Sequence, residues 1–90
     1  MIFRRTVGFK REFSSLPLEI QRVARSKFFL FTTNWRHPSL NVHKLEGRTW
    51  HGHQVFDLYV TDKYRVLFVI EHGAQITGWI GVEKMPVGIR

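Results

Sequence analysis

The chain has 90 residues, of which 43% are hydrophobic, and its fourteen Lys and Arg against seven Asp and Glu give a net charge of +7. This composition predicts one folded domain over residues 1–90 and excludes a disordered basic tail. Because there is no cysteine, disulfide frameworks and zinc-thiolate sites are also excluded. No apolar run is long enough to span a membrane, so we expect a cytoplasmic protein without membrane contact. The charge favours a polyanionic partner, either nucleic acid or an acidic protein segment.

The N-terminal part predicts a strand followed by two helices. Residues 2–6 alternate as a strand, which we expect to pair beside a β-hairpin at residues 55–70. From Val7 the apolar residues recur at helical spacing, and Pro17 opens a second helix. The predicted buried stripe of that helix is Ile20, Val23, Ala24, Phe28 and Phe31. Phe29 and Leu30 lie outside this stripe, so their apolar patch is either pinned under a loop or receives a partner protein.

Residues 41–54 predict a loop, with turns at Gly47 and Gly52. The loop is rich in basic and imidazole side chains, namely His43, Lys44, Arg48, His51 and His53. Two of the histidines could ligate zinc, but the sequence fixes no third ligand. We therefore expect no metal and no cofactor.

Residues 55–70 contain two strand-like runs that flank Thr61, Asp62 and Lys63. A three-residue loop would set Val60 opposite Tyr64 and collect the large apolar side chains on one face. The other face would carry Asp57, Tyr59 and Arg65, with Arg65 directly across from Tyr59. Because this arginine lies away from the main core, it is the strongest functional candidate in the chain.

Residues 75–83 predict the last strand. The same alternation places Ile80 and Val82 in the core, and sends Trp79 and Glu83 to the face of Arg65, with Glu83 about two residues along from it. The predicted fold class is α+β. We expect a small twisted antiparallel sheet in the order β-α-α-β-β-β, with both helices packed on one face and an open basic concavity on the other.

Four segments, FKREFSSLPLEIQ, HKLEG, DKYRVLFVI and WIGVEK, together resemble the RelE/ParE toxin superfamily of bacterial toxin-antitoxin systems. The resemblance covers nearly the whole chain and implies a RelE-like sheet with two helices on one side. It also implies a ribosome-dependent endoribonuclease that cuts mRNA in the A site with the RNA 2′-hydroxyl as nucleophile. Arg65 matches the family arginine that contacts the reacting phosphate, and Lys44 matches a basic position of the HKL turn.

If the chain cleaves mRNA, Arg65 would bind the phosphate and Glu83, where this chain departs from the family pattern, would accept the 2′-hydroxyl proton. Tyr59 and Trp79 would stack on bases. The remaining predicted RNA-binding residues are His43, Lys44, Arg48, His51 and His53.

The implied partners are mRNA, the ribosome and a cognate acidic antitoxin that covers Phe29 and Leu30 in a hetero-oligomer. Other members of the superfamily inhibit DNA gyrase and carry no cleavage residues. A non-nucleolytic gyrase inhibitor, or an inactive protein with the RelE fold, is therefore the alternative.

Overall fold

A computed structural model describes residues 2–71 and 76–84. The elements are β1 (Ile2–Arg5), α1 (Val7–Ser14), α2 (Leu18–Thr33), a short 3-10 helix (Pro38–Leu40), β2 (His43–Trp50), β3 (His53–Thr61), β4 (Tyr64–Glu71) and β5 (Ile76–Lys84). The strands form one sheet in the order β1-β5-β4-β3-β2. All neighbouring strands are antiparallel except β1 and β5, which are parallel. The predicted α+β class is confirmed.

Two strands differ from the sequence-based expectation. β1 lies at the edge of the sheet against β5, and not beside the hairpin. The segment predicted as a loop forms the opposite edge strand, β2. Its pairing with β3 is interrupted by a bulge. Lys44 pairs with Phe56, and the next pair is Thr49 with Gln54, so β2 has more residues in this interval than β3. This wide bulge hides the two-residue alternation by which a strand is recognised.

The main core lies between the two helices and the sheet. Its buried members are Phe9, Ala24, Phe31, Leu40, Leu58, Val60, Val66, Phe68 and Trp79. The predicted core face of the hairpin is therefore confirmed. On α2, Val23 is exposed, and Gln21 is buried instead, where its amide donates to the carbonyl oxygen of Leu16 at 3.0 Å.

The hairpin between β3 and β4 has the predicted register at the site, since Tyr59 pairs with Arg65. Its loop is shorter than predicted. Thr61 pairs with Tyr64, and the extra residue is absorbed as a register shift between Tyr59 and Thr61. The turn therefore contains Asp62 and Lys63, and the bulge preserves the faces that a three-residue loop would give.

A third bulge, in β5, reverses part of the predicted alternation. The register shifts between Leu67 and Phe68, so Trp79 pairs with Phe68 and turns into the main core. Ile80, predicted in that core, instead packs with Val55, Leu67 and Val69 on the opposite face.

Side chains of α1 and of its N-cap residue hydrogen-bond to the irregular part of β5. The Thr6 hydroxyl caps α1 by accepting from the Phe9 amide at 3.0 Å, and it donates to the carbonyl of Ile80 at 3.2 Å. The Glu12 carboxylate accepts from the Val82 amide at 3.2 Å. The Ile80 carbonyl and the Val82 amide, which lie at the bulge, are thus hydrogen-bonded to side chains from a distant part of the chain.

The second face of the sheet is partly filled and is not the open concavity that was expected. Val55, Leu67 and Val69 form a second apolar cluster, against which Leu45, Trp50 and Ile80 pack. The β2 bulge is held in place by Gln54, whose amide donates to the carbonyls of Leu45 at 2.7 Å and Arg48 at 3.2 Å. Polar side chains on this face are therefore confined to the two ends of the sheet.

Candidate functional site

A group of polar side chains lies on the second face, at the end nearest the β3–β4 turn. This polar cluster consists of His43, Arg48, Asp57, Tyr59, Arg65 and Glu83. Strand pairing builds it in two rows, because Tyr59, Arg65 and Glu83 lie side by side on β3, β4 and β5, and His43 lies opposite Asp57. The sheet therefore brings together residues that are up to 40 positions apart in sequence.

Arg65 is held in a fixed position at the turn. Its Nη1 donates to the carbonyl oxygens of Thr61 and Tyr64, and its guanidinium lies over the Tyr59 ring, 4.6 Å from the centroid. The Tyr59 hydroxyl in turn donates to Asp62 at 2.9 Å. Both hydrogen bonds that Arg65 makes within the described residues use Nη1, so Nη2 and Nε are available to an anionic ligand.

Glu83 lies directly across from Arg65, closer in register than the two-residue offset expected from the sequence. Its carboxylate pairs with Arg48, with Oε2 at 3.4 Å from Nη1. Arg48 projects from the β2 bulge to reach it. Within residues 2–71 and 76–84, Arg65 has no carboxylate partner at ion-pair distance.

Asp57 is the most unusual group of the polar cluster. The residue is only 9% exposed, and its Oδ1 is buried without a hydrogen-bond partner among the described residues. The nearest cation-forming group is the His43 ring, whose Nδ1 lies 3.7 Å from that oxygen. Burial raises the pKa of Asp57, and Glu83 adds to this effect, whereas His43 and Arg65 oppose it. The sequence predicts the correct face for Asp57 but not its burial. His43, the first residue of β2, pairs with Asp57, and β2 was predicted as a loop.

Several predicted RNA-binding residues lie away from the polar cluster. His53 is at the other end of the face, where its Nε2 pairs with the Glu71 carboxylate at 3.2 Å. His51 is in the β2–β3 turn with a φ of 50°, and its ring contacts Trp50. Lys44 pairs with Phe56, so its side chain is on the face of the sheet that the helices cover, whereas that of His43 is on the opposite face. Of the predicted basic track, His43 and Arg48 are the members that join Arg65.

The predicted placement of Trp79 is wrong. The residue is 5% exposed, and its ring lies 4.8 Å from that of Phe28 and 4.9 Å from that of Phe31. The β5 bulge turns it into the main core, which leaves it no surface on which a base could stack. Tyr59 is the aromatic side chain that remains beside Arg65.

The predicted partner patch on α2 is divided by the structure. Phe29 is 77% exposed, whereas Leu30 is partly buried against the main core. Leu30 therefore contributes less to the predicted patch than expected, and Phe29 is its exposed member.

In residues 2–71 and 76–84, His, Asp and Glu side chains do not gather in groups of three or more that could hold a metal ion. None of the helices in those ranges is long and apolar enough to cross a bilayer.

The fold was compared with known proteins. No family model matches the sequence, and no curated protein matches it. Solved structures do match. The chain is similar to the RelE–RelB complex of the archaeon Pyrococcus horikoshii, with a TM-score of 0.73 and 15% identity over 92% of each chain. It is similar to a YoeB/ParE toxin from Agrobacterium tumefaciens, with a TM-score of 0.75 and 9% identity over 96% of this chain and all of that one.

A third similar structure is the E. coli RelBE toxin-antitoxin complex, with a TM-score of 0.69 and 14% identity over 94% of this chain and 96% of that chain. These matches span nearly the full length of both compared chains. The sequence identities are low, so the likeness concerns the arrangement of the helices and strands. The chain has the fold of the RelE/ParE toxin superfamily.

Proposed function

We propose that this protein is the toxin of a toxin-antitoxin system and that it cleaves mRNA at the ribosome. The observation that carries the proposal is Arg65, positioned by two carbonyl groups and the Tyr59 ring with two guanidinium nitrogens left for a ligand. A fork of N–H donors suits the oxygens of a phosphate and the charge that develops on them during cleavage. The similar solved structures, which include RelE–RelB and RelBE complexes, support both the fold and an antitoxin partner.

In this proposal the protein supplies positioning and charge, and the RNA supplies the nucleophile. The 2′-oxygen attacks the adjacent phosphorus while the bond to the 5′-oxygen breaks. Arg65 stabilises the phosphorane, Tyr59 stacks on a neighbouring base, and Glu83 lies on the next strand as a candidate proton acceptor. Arg48, paired with Glu83, adds positive charge beside the phosphate.

Expression of the parent protein and its variants in bacteria tests the proposal. Arg65→Ala should relieve growth arrest and lower mRNA cleavage by about 10²-fold or more, because the phosphorane loses its main donor. Arg65→Lys should rescue only partly, since an ammonium lacks the two-pronged geometry. Arg22→Ala, a change of the same type at an exposed position of α2, is the matched control and should arrest growth like the parent.

Glu83→Gln separates two roles for the carboxylate. If Glu83 accepts the proton, this variant should lose cleavage and still bind ribosomes. If it only pairs with Arg48, cleavage should persist.

Transcript integrity decides between the enzyme and the alternative. Truncated mRNA in arrested cells supports cleavage. Arrest by the parent and by Arg65→Ala alike, with mRNA intact and chromosomal DNA broken, would reject the enzyme and favour inhibition of gyrase. A parent that does not arrest growth at all would favour an inactive protein with this fold.

A further inference from the structure

The pair formed by His43 and Asp57 has no assigned role in the proposed cleavage. His43 begins the edge strand β2 and lies opposite Asp57 on β3. Its side chain is 60% exposed, whereas that of Asp57 is 13% exposed. A solvent-facing imidazole thus lies against a buried carboxylate, with 3.7 Å between Nδ1 and Oδ1.

The buried oxygen of Asp57 requires an explanation. A buried acceptor without a donor costs about 1–3 kcal/mol, and native proteins keep such groups rarely. Here the Oδ1 atom has no donor among the described residues. The His43 imidazole is the group placed to supply one, and a side-chain rotation that shortens the contact by less than 1 Å would form an Nδ1–H···Oδ1 hydrogen bond. Catalytic hydrogen bonds are often this long before substrate is bound.

We propose that His43 is the general base that accepts the 2′-hydroxyl proton, and that Asp57 is a positioning residue that fixes the His43 tautomer and ring. This inference rests on the proposed function, and assigns proton transfer to a residue other than Glu83. With Nδ1–H donated to Asp57, the Nε2 of His43 carries a lone pair and faces solvent, where a substrate can approach.

The position of His43 is compatible with the phosphate site of Arg65. His43 lies two strands and two residues from Arg65, which is about 12 Å between Cα atoms from the strand spacing and rise. Histidine and arginine side chains that project from the same face can converge from that distance on one phosphodiester group.

Electrostatics favour His43 over Glu83 for this role. The Glu83 carboxylate is already paired with Arg48 at 3.4 Å, so part of its capacity to accept hydrogen bonds is used. The charged and titratable groups that face Asp57 are His43 on β2, Arg65 on β4 and Glu83 on β5. An imidazolium formed at His43 would therefore be stabilised by the carboxylate beside it.

Cleavage in this proposal transfers a proton, forms one bond to phosphorus and breaks another. The 2′-hydroxyl gives its proton to Nε2 of His43, the 2′-oxygen bonds to phosphorus, and the bond to the 5′-oxygen breaks. Water protonates the 5′-oxygen, and the hydroxide that remains is neutralised by the proton released from His43. The products are a 2′,3′-cyclic phosphate and a 5′-hydroxyl.

Single-turnover cleavage of a defined mRNA on purified ribosomes, at saturating protein, tests the dyad. His43→Ala should lower the rate by about 10²–10⁴-fold, the usual contribution of a general base, and added imidazole should restore part of it. Asp57→Asn should lower the rate about 10-fold or more in the parent. In the His43→Ala background, Asp57→Asn should change nothing, because a positioning residue acts only through its partner.

Glu46→Gln, a carboxylate-to-amide change at an exposed residue of β2, is the matched control and should cleave like the parent. Thermal unfolding monitors the fold of each variant. Three outcomes would overturn the dyad while leaving the proposed function intact: normal cleavage by His43→Ala, normal cleavage by Asp57→Asn, or an equal loss from Asp57→Asn with and without His43. A parent that binds ribosomes but leaves mRNA whole overturns the proposed cleavage and the dyad with it.

Discussion

At the scale of single residues, the burial of Asp57 in the polar cluster disfavours the charged form of its carboxyl. Asp57 is buried against a sheet face whose centre is apolar, and a hydrophobic or neutral residue would fit the surroundings better. Functional sites commonly hold groups that the fold alone would not select. The physical sign of this conflict is the raised pKa of Asp57, which burial causes.

The residue-scale prediction concerns Asp57→Asn and pH. A carboxyl whose pKa is raised above its ordinary 3.8 on folding binds protons more readily in the native state, so the protein loses stability as pH rises through the interval between those pKa values. Near pH 7 the full cost is present. Removing the charge should therefore raise the free energy of unfolding near pH 7, which would be measured as a higher Tm.

The measurement is thermal unfolding of the parent and Asp57→Asn near pH 7 and at a pH below 3.8, the ordinary value of the carboxyl. The gain should shrink at the lower pH, where Asp57 is protonated in both states. Glu46→Gln, which is exposed, should show no comparable difference. An Asp57→Asn protein that is less stable than the parent near pH 7 would mean that the carboxylate is a net stabilising group.

At the scale of elements, the bulges determine which strands and side-chain faces could be predicted from the sequence. The hairpin of β3 and β4 was predictable, because its faces depend on alternation within one continuous stretch, and this placed Arg65 opposite Tyr59 correctly. The β5 bulge was not, because its backbone groups are satisfied by Thr6 and Glu12, far away in sequence. That single shift moved Trp79 from the predicted site into the core.

The β2 strand was missed for a related reason. Its bulge depends on the Gln54 side chain, which binds carbonyls of Leu45 and Arg48. No periodic pattern in residues 43–50 reveals such an arrangement. The contact between Arg48 and Glu83, and the burial of Asp57 beside His43, follow from β2 and were therefore hidden as well.

The element-scale prediction uses two glycines of similar conformation. Gly47 in the β2 bulge has a φ of 78° and Gly52 in the β2–β3 turn has a φ of 81°, and an added Cβ meets no atom within 4 Å at either. Alanine at each position should cost about 1–2 kcal/mol from backbone strain alone. Gly47→Ala should also displace the adjacent Arg48 from Glu83, whereas Gly52→Ala should not.

Urea unfolding measures the two costs, and growth arrest measures the functional effect. Similar destabilisation with weaker arrest in Gly47→Ala alone would show that the bulge positions Arg48 for function. Equal arrest by both variants would show that the shape of the bulge does not matter for function.

At the scale of the whole molecule, the net charge of +7 and the exposed Phe29 indicate a partner that is both acidic and apolar. Arginines and lysines on several elements favour polyanionic partners, which under the proposed function are RNA and an acidic antitoxin. Competition between the two for the same positive charge would be a simple means of inhibition.

Phe29→Asp tests whether the apolar patch contributes to that partnership. Co-expression with the adjacent reading frame, where the proposed function places an acidic antitoxin, should yield a complex with the parent and a weakened one with the variant, because a carboxylate would be desolvated in the interface. Leu18→Asp is the matched control, since Leu18 is 76% exposed on the same helix against 77% for Phe29. Equal co-purification of both variants would remove Phe29 from the interface.

The dependence of RNA affinity on salt tests where the phosphates lie. Each contact with a single-stranded phosphate contributes about −0.7 to the slope of log affinity against log salt. Arg48 lies on the face of Arg65 and Lys44 on the side that the helices cover. Arg48→Ala should therefore lessen the slope by about 0.7 and leave Glu83 as an uncompensated negative charge, so affinity falls as well. Lys44→Ala should change the slope less.

Filter binding of a short unstructured RNA across a range of salt concentrations gives these slopes, with Lys10→Ala on α1 as the control. Because Arg48 is already paired with a carboxylate through Nη1, a phosphate that it binds lies close to the negative charge of Glu83. The double variant Arg48→Ala/Glu83→Gln should then recover affinity relative to Arg48→Ala without recovering the slope, since a repulsive charge is removed but no cation is restored. A larger slope change from Lys44→Ala than from Arg48→Ala would move the RNA track to the helix side of the sheet and away from Arg65.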